Sequence, residues 1–397
     1  MRSYGTKNAY CSYVRRIMIA EHRTGIALTL CLCWLCSAEA ISSAQEPARP
    51  SRGPLWSAEV MQQDMNPADP FSTKIIDRSR AGLCFLDTKR LIVYELVLKG
   101  GLSSRKTPVI LNAFRLQMKV LDASSGKEIF QKEWPARVQD SYIHAVSGGV
   151  LVRTEGILRI YGKDFQEIRQ MPLLETQGPY EWMVIVSPSG ETVLVNQISA
   201  EFSSLTVMDG QTFELKKSWR NSPALRFRYT ISDHGLAAWD GSHIIISRFG
   251  AKWTTLRPKL ARNCHFTTPT LVANDAVVYP ECWGVSLITA DGQVRARHFL
   301  GGKERPDQEI AVAEDGELVA ASLANVKVTG PIYDDSHKPV LIGRRVAVYN
   351  LLLNKLLSDI EVVPLPKARL DFALSLDGSR LAILNDKKVS VYDIPAN

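Results

Sequence analysis

Short runs of alternating or β-branched apolar residues recur along the chain, and residues that favour turns bound each run. Typical runs are RLIVYEL at 90–96, TVLVNQ at 192–197 and KVSVYD at 388–393. Val, Ile and Tyr at such spacings are typical of half-buried β-strands. The periodicity of an amphipathic helix is nearly absent, so the pattern predicts an all-β protein.

Two series of turns separate these runs. The first consists of tight turns rich in Asp, Asn, Ser and Gly, at 86–89, 147–148, 187–190, 232–235, 273–275, 313–316 and 375–378. The second follows these hairpins, at 122–126, 162–164, 209–210, 249–250, 291–292 and 350–354. Gly and Asn tolerate positive φ, and Asp and Ser side chains hydrogen-bond within their own turns, so both series predict antiparallel hairpins.

The two series divide the chain into units of four strands, which we label a to d, with turns between a and b and between c and d. Seven such units of roughly 50 residues match the repeat length of a propeller blade. We therefore expect a seven-bladed β-propeller of four-stranded antiparallel blades around a central channel.

The last unit, FALSLDGSRLAILNDKKVSVYDI at 372–394, has strands a, b and c but no strand d. Two β-prone segments, 55–60 and 72–77, precede the first complete unit. An unpaired strand edge promotes aggregation, so we expect one of these segments to complete the last blade. The two termini then close the ring together, and we favour 55–60 over 72–77.

The turn at Ser187–Gly190 followed by TVLVN, and the turn at Ser375–Gly378 followed by LAIL at 381–384, resemble the repeats of the WD-repeat and YVTN-type β-propeller superfamily. The Trp-Asp and Gly-His signatures are missing, so the resemblance is to the exported bacterial branch. It implies a fold and a binding role, and no catalytic residues carry over from it.

Residues 1–44 have the features of a signal peptide. A basic segment precedes the apolar run IALTLCLCWLC at 26–36, which is too short to span a bilayer, and small residues end at Ala44. We expect a flexible tether at 45–54, the propeller at 55–397, and a periplasmic or secreted location. The formal charge of +7 on 397 residues, partly carried by the leader, does not indicate nucleic-acid binding.

Two b–c connections are long, at 99–114 and 327–345, whereas that of the last unit is the short NDKK at 385–388. In a four-stranded blade the b–c and d–a connections emerge on one face, so both insertions flank a low blade there. Long loops on a rigid scaffold often carry function. We expect an exported scaffold that recognises a protein or peptide partner on this face and makes no stable membrane insertion once the leader is removed. The oligomeric state stays open.

The candidate partner-binding residues are basic, aromatic or polar residues of these insertions and of the d–a connections: Arg105, Lys106, Arg137, Tyr180, Trp182, Arg226, Arg262, His265, Arg305, Tyr333, Asp334, Asp335, His337 and Arg369. Cys264 and Cys282 flank one a–b hairpin nearly opposite each other, where they could form a disulfide or remain buried thiols. Trp134, Trp219 and Trp253, on fourth strands, are expected to pack between neighbouring blades.

No catalytic residues, cofactor or metal site are expected, because no nucleophile elbow, phosphate-binding glycine loop or zinc-type spacing occurs. An enzyme is therefore the less favoured interpretation. The alternative is a lactonase-like hydrolase or lyase acting at the channel mouth. Its candidate groups are those near the starts of strands a: Glu181, His265, Glu309 and Asp371.

Overall fold

A computed structural model describes the following residues: 53–61, 81–98, 114–136, 141–172, 181–198, 203–221, 228–239, 244–248, 254–256, 269–272, 276–281, 284–299, 304–314, 316–327, 340–366 and 370–396. Within this part of the chain the regular secondary structure is entirely β, in strands β1 to β28. None of it forms a helix of the length and apolarity that crossing a bilayer requires.

The strands form seven four-stranded antiparallel sheets. Six of them each use four strands that are consecutive in the chain, and the remaining one combines strands from both ends. Sheets 1 to 3 comprise β2 (Ala81–Phe85), β3 (Arg90–Leu98), β4 (Phe114–Asp122) and β5 (Glu128–Ala136); β6 (Tyr142–Val146), β7 (Gly149–Thr154), β8 (Ile157–Gly162) and β9 (Glu167–Pro172); β10 (Glu181–Val186), β11 (Thr192–Ile198), β12 (Ser203–Asp209) and β13 (Leu215–Asn221).

Sheets 4 to 6 follow the same order. They comprise β14 (Arg228–Ile231), β15 (Gly235–Trp239), β16 (Ile244–Arg248) and β17 (Thr254–Leu256); β18 (Thr270–Leu271), β19 (Val277–Glu281), β20 (Gly284–Ile288) and β21 (Val294–Phe299); β22 (Glu304–Val312), β23 (Leu318–Lys327), β24 (Val340–Asn350) and β25 (Lys355–Glu361).

Sheet 7 joins the two ends of the described chain. It contains β26 (Asp371–Leu374), β27 (Arg380–Asn385) and β28 (Lys388–Asp393), and β1 (Trp56–Glu59) pairs antiparallel with β28 as its outer strand. The prediction that segment 55–60 completes the last unit is therefore confirmed. The alternative segment, 72–77, lies outside the described residues.

Hydrophobic clusters join each sheet to the next. Seven clusters each contain residues of two successive sheets, and one of them returns from sheet 7 to sheet 1. The closing cluster brings Leu83 and Leu91 of sheet 1 against Ala382 and Val391 of sheet 7. The sheets are thus arranged in a closed ring, which defines a β-propeller.

The a–b turns also hold neighbouring sheets together through polar contacts. Arg90 and Arg380 each begin a strand b, and each donates from Nη1 to a carbonyl oxygen of the next sheet, Lys163 O at 2.8 Å and Thr88 O at 3.2 Å. Asp233 of sheet 4 accepts hydrogen bonds from the hydroxyls of Ser187 and Ser189 in sheet 3. Turn residues therefore act as contacts between sheets as well as within them.

A β-bulge recurs where strand d begins. In sheets 1, 2, 3, 5 and 6 one residue near the start of the outer strand has no partner on strand c: Ile129, Ile168, Lys216, Arg295 and Leu357. A bulge interrupts an edge that would otherwise present regular donors and acceptors to another chain. The outer edges of these sheets are consequently poor templates for strand addition.

Candidate partner-binding face

The b–c and d–a connections emerge at one end of the sheets, and the b–c hairpins there differ in length. The connection from β3 to β4 spans 99–113, and that from β23 to β24 spans 328–339. The hairpin of sheet 7 turns tightly, with Asn385 paired to Lys388. Since sheet 7 packs between sheets 6 and 1, the two long hairpins flank a short one.

Part of the insertion predicted at 327–345 is a strand and not a loop. β24 begins at Val340 and pairs with β23 as far as Lys327, beyond the point where β25 ends at Glu361 opposite Arg345. The sequence-based boundary was therefore wrong, because β-pairing continues past the four-stranded part of the sheet. Only the end of the hairpin is a two-stranded ribbon, because β22 begins at Glu304 opposite Asn325 and the pairs Val326–Leu341 and Lys327–Val340 lie beyond it.

A bulge marks this ribbon. Asn325 pairs with Gly343 and Val326 with Leu341, which leaves Ile342 without a partner on β23. The side chains of Val340 and Ile342 are each 50% exposed. Bulges redirect the side chains they carry, so this ribbon presents two branched apolar residues to solvent.

Two further exposed apolar residues lie close to the ribbon. Val363 is 73% exposed and Leu365 is 40% exposed, in the connection from β25 to sheet 7. The amide of Val362 donates to Arg344 O at 2.9 Å, which brings the start of this connection beside β24. We call Val363 and Leu365 the apolar patch; Val340 is not part of it, because it lies opposite Lys327 on the face of β23 that packs towards sheet 5.

The patch reaches the short hairpin of sheet 7. Asn385 Nδ2 donates to Pro364 O at 2.8 Å, so the connection that carries Val363 and Leu365 is tied to the turn between β27 and β28. The apolar patch therefore lies on the side of sheet 6 that faces the low sheet, where the sequence predicts a gap between two walls.

Other exposed large apolar residues are scattered. Six of them occur singly, each in a different sheet and all at the c–d end: Leu55, Ile129, Ile168, Leu215, Val294 and Leu353. Isolated apolar residues on a surface are normal, whereas contiguous ones mark interaction sites. The apolar patch is thus distinguished by its grouping, not by the exposure of any one member.

Two charged residues of the neighbouring strands lie opposite, or pair with, residues of the other sign. Arg345 forms an ion pair with Asp359 across β24 and β25, and Lys388 lies opposite Glu59 on the neighbouring strand. Lys327 differs, because it is exposed and its cross-strand neighbour is Val340. Within the described residues its ammonium group has no acidic partner.

Most of the residues predicted to bind a partner lie outside the described residues. These are Arg105, Lys106, Arg137, Tyr180, Arg226, Arg262, His265, Tyr333, Asp334, Asp335, His337 and Arg369. Trp182 and Arg305 lie in strands β10 and β22, and not in the d–a connections where they were expected. The proposed disulfide pair, Cys264 and Cys282, is also outside the described part, so both sets stay predictions.

The tryptophans of two outer strands pack between sheets, as predicted. Trp134 is buried in the cluster between sheets 1 and 2, where its indole Nε1 donates to Tyr161 Oη at 2.7 Å. Trp219 packs against the cluster between sheets 3 and 4, with Lys217 Nζ 4.9 Å from its ring centroid. Both rings serve the junctions of the propeller, and Trp253 lies outside the described residues.

Among the candidates for the lactonase-like alternative, Asp371 is the one whose side chain is described, and it has a structural role. Its Oδ2 accepts a hydrogen bond of 2.9 Å from Leu83 N, which joins strands a of sheets 7 and 1. The nearby residue Cys84 is half-buried, and desolvation raises the pKa of its thiol to about 12, so it is a poor nucleophile. Burial also lowers the pKa of His144 to about 4.

The described residues hold no group of three or more His, Cys, Asp and Glu side chains placed to share a metal ion. Of the other candidates for the lactonase-like alternative, Glu181 and Glu309 lie in β10 and β22, and His265 is outside the described part.

The described sheets define the class of protein, a β-propeller, and comparisons with known proteins add little to it. No protein family profile matches the sequence, and no curated protein matches it. Hsv2 of Kluyveromyces lactis is similar in structure with a TM-score of 0.48 and 11% identity, over 80% of this chain and 94% of that one.

A second solved structure is the β-propeller domain of Cps50 (Swd1) from Myceliophteria thermophila. It matches with a TM-score of 0.36 and 10% identity, over 64% of this chain and 96% of that one. Similarities of this size carry no argument about function. They also give no support to the exported bacterial branch that the turn sequences resemble.

Proposed function

We propose that this protein is an exported, non-enzymatic scaffold that binds a protein or peptide partner on the face carrying the b–c and d–a connections. One observation carries the proposal: the two long b–c hairpins belong to sheets 6 and 1, which flank the tight hairpin of sheet 7. Two long hairpins on either side of a short one would form the walls of a recess, and the apolar patch lies beside the short hairpin. The ring of packed sheets supplies the rigid support that recognition by loops requires.

The rim of this recess supports the same function. The predicted basic and aromatic residues of the d–a connections would add charge around the apolar patch and attract an acidic partner. By contrast, the two such groups whose side chains are described do not favour a channel-mouth enzyme, because Asp371 accepts a hydrogen bond from Leu83 N and the Cys84 thiol is a poor nucleophile.

Truncation of both long hairpins tests the proposal. Segments 100–112 and 329–338 are each replaced by a two-residue turn, and the partner is captured by cross-linking from the envelope and medium of the source cells. We expect the ring to fold with an unchanged melting temperature or a higher one, and the cross-linked partner to be lost. A control variant, Leu353→Ser, alters an exposed residue on the opposite face. Undiminished capture by the truncated protein would place the binding site elsewhere.

Export is tested separately. N-terminal sequencing of protein recovered outside the cytoplasm is expected to begin at Gln45. Protein that starts at Met1 and remains in the cytoplasm would contradict this part of the proposal.

A further inference from the structure

We infer that His298 makes the junction between sheets 5 and 6 sensitive to acid. The junction is closed while the imidazole is neutral, and it opens locally when the imidazole takes up a proton. The inference concerns regulation and does not depend on the proposed function, because it rests on the packing of described side chains. It bears on that function all the same, since sheet 6 carries the long hairpin between β23 and β24.

The imidazole of His298 is enclosed between the two sheets. It lies on β21 directly opposite Val285, which belongs to the cluster between sheets 5 and 6, and it is 5% exposed. Its ring centroid is 4.1 Å from that of Tyr349, a buried residue of β24, and Nδ1 donates to Asn354 Oδ1 at 3.0 Å. A side chain of sheet 5 thus packs against a strand and the c–d turn of sheet 6, so a change in its charge acts on the junction itself.

Burial makes the protonated form of this imidazole unfavourable. The pKa of His298 is lowered from its ordinary value, because desolvation outweighs the hydrogen bond to Asn354. In an opened junction the ring is hydrated and binds a proton with the ordinary pKa of about 6.5. Below that pH the opened junction binds more protons than the closed one, so acid shifts the equilibrium towards opening. The stabilisation by the neutral ring is therefore present above about pH 6.5 and is lost as the pH falls.

Four charged groups of the surrounding elements pair with one another. Arg297, the residue before His298 on β21, pairs with Glu281 at 2.9 Å, and Arg345 of β24 pairs with Asp359 of β25. The other charged residues on β21, β24, β25 and the turns beside them are Asp291, Arg295, Glu317, Arg344, Lys355 and Glu361. The group that Nδ1 contacts is a neutral amide, which accepts its hydrogen bond without balancing a positive charge.

Sheet 5 is weakly held at the channel. Its inner strand, β18, contains two residues and pairs with β19 at Val277 and Val278. The inner strands of the other sheets contain at least four described residues each. Local opening occurs most readily where few contacts hold an element, so a charge at the junction between sheets 5 and 6 acts on a sheet that is able to yield.

Hydrogen exchange of the full chain tests the inference. It is followed by mass spectrometry at about pH 7.5 and about pH 5.5, corrected for the effect of pH on the intrinsic rate, in the peptides that contain β21 and β24. In the wild type the protection of these peptides should fall by up to about tenfold at the lower pH, which is one unit below the ordinary pKa. His298→Gln, which is neutral at both pH values, should show no such loss. The matched control, His234→Gln, removes an exposed histidine of sheet 4 and should respond as the wild type does.

A second variant tests the opposite direction. Asn354→Asp places a carboxylate beside Nδ1 of His298, where an opposite charge favours the imidazolium. Asp tolerates the positive φ of +50° found at this position. We therefore expect the junction of this variant to stay protected at about pH 5.5, where that of the wild type opens.

Two outcomes overturn the inference. An acid response of the same size in His298→Gln assigns the response to another group. A titration midpoint of His298 at or above about pH 6.5, measured by NMR of the imidazole carbons in the wild type, shows that contact with Tyr349 stabilises the imidazolium instead. If His298→Gln does not fold, the NMR titration and Asn354→Asp still decide the matter. None of these measurements uses a partner, so their failure is distinct from a failure of the proposed function.

Discussion

The closure of the ring by β1 can be tested at Trp56. This residue begins the N-terminal strand, and its indole crosses from sheet 7 to the c–d turn of sheet 1. Nε1 donates to Ala123 O at 2.9 Å, and the ring covers Gly126 so closely that a Cβ there would lie 2.6 Å from Cε3. Trp56→Ala removes both contacts, while the main-chain pairing of β1 with β28 can remain.

The expected destabilisation follows from the area and the hydrogen bond. A largely buried tryptophan removes ~150 Å² from water, which at ~25 cal/mol per Å² is worth about 4 kcal/mol. That value lies within the roughly 3–5 kcal/mol measured for such truncations, so the lost hydrogen bond adds little beyond it. Because the unfolding entropy of ~340 residues is about 0.7 kcal/mol per degree, the melting temperature should fall by about 6 °C.

Thermal unfolding followed by circular dichroism measures this change, with hydrogen exchange at the amides of β28 as the local reading. Trp56→Phe keeps most of the packing and should cost about a third as much, whereas Leu55→Ala alters an exposed neighbour and should be neutral. A melting temperature within ~1 °C of the wild type for Trp56→Ala, with unchanged exchange in β28, would refute the claim that the N-terminal strand locks the ring.

Three more predictions concern turns and the thiol of Cys84. Hydrogen bonds from Ser124 and Ser125 hold the pKa of Asp122 at about 2, and the amide of Thr212 does the same for Asp209. Because these pKa values lie below those of the unfolded chain, the stabilisation is present above about pH 4 and is lost as pH falls towards 2. Thermal unfolding measured from pH 5 to 2 should therefore show a steeper loss of stability in the wild type than in the double variant Asp122→Asn/Asp209→Asn. Gly149→Ala should cost about 3 kcal/mol in denaturant unfolding, since φ is +149° and the new Cβ would lie 2.0 Å from Tyr161 O; Gly53→Ala, with open space around it, should not. Alkylation of Cys84 at pH 8, followed by peptide mass spectrometry, should be at least ~1000-fold slower in the native than in the unfolded protein; comparable rates would contradict the raised pKa of the thiol.

The strands and their pairing could be predicted because the information is local. Turn residues and alternating apolar runs give the hairpins, and a missing fourth strand at the C-terminus requires a partner from elsewhere in the chain. The choice of 55–60 over 72–77 was correct, and Trp56 provides a physical reason, since its indole also contacts sheet 1.

Registers between strands were not predictable, and the candidate site depends on them. The bulge at Ile342 arises from how β23 and β24 align, and a single sequence does not show which residue will lack a partner. The same limitation placed the whole of 327–345 in a loop. Exposure of Val363 depends on where β25 stops pairing with β24, which is again a property of register.

The two long hairpins are tolerated because of where they begin and end. Each leaves and re-enters the ring on paired strands, so an insertion adds loop-closure entropy without disturbing the packing between sheets. Relative to the two-residue turn of sheet 7, loops of 15 and 12 residues cost nearly three doublings of length each, or about 1.5 kcal/mol apiece. Compared with a ring whose b–c turns are all tight, the two long loops together lower the stability by roughly 3 kcal/mol, and both lie on one face. The cost falls on the two sheets that flank the low one, which is where the proposed recess for a partner would lie.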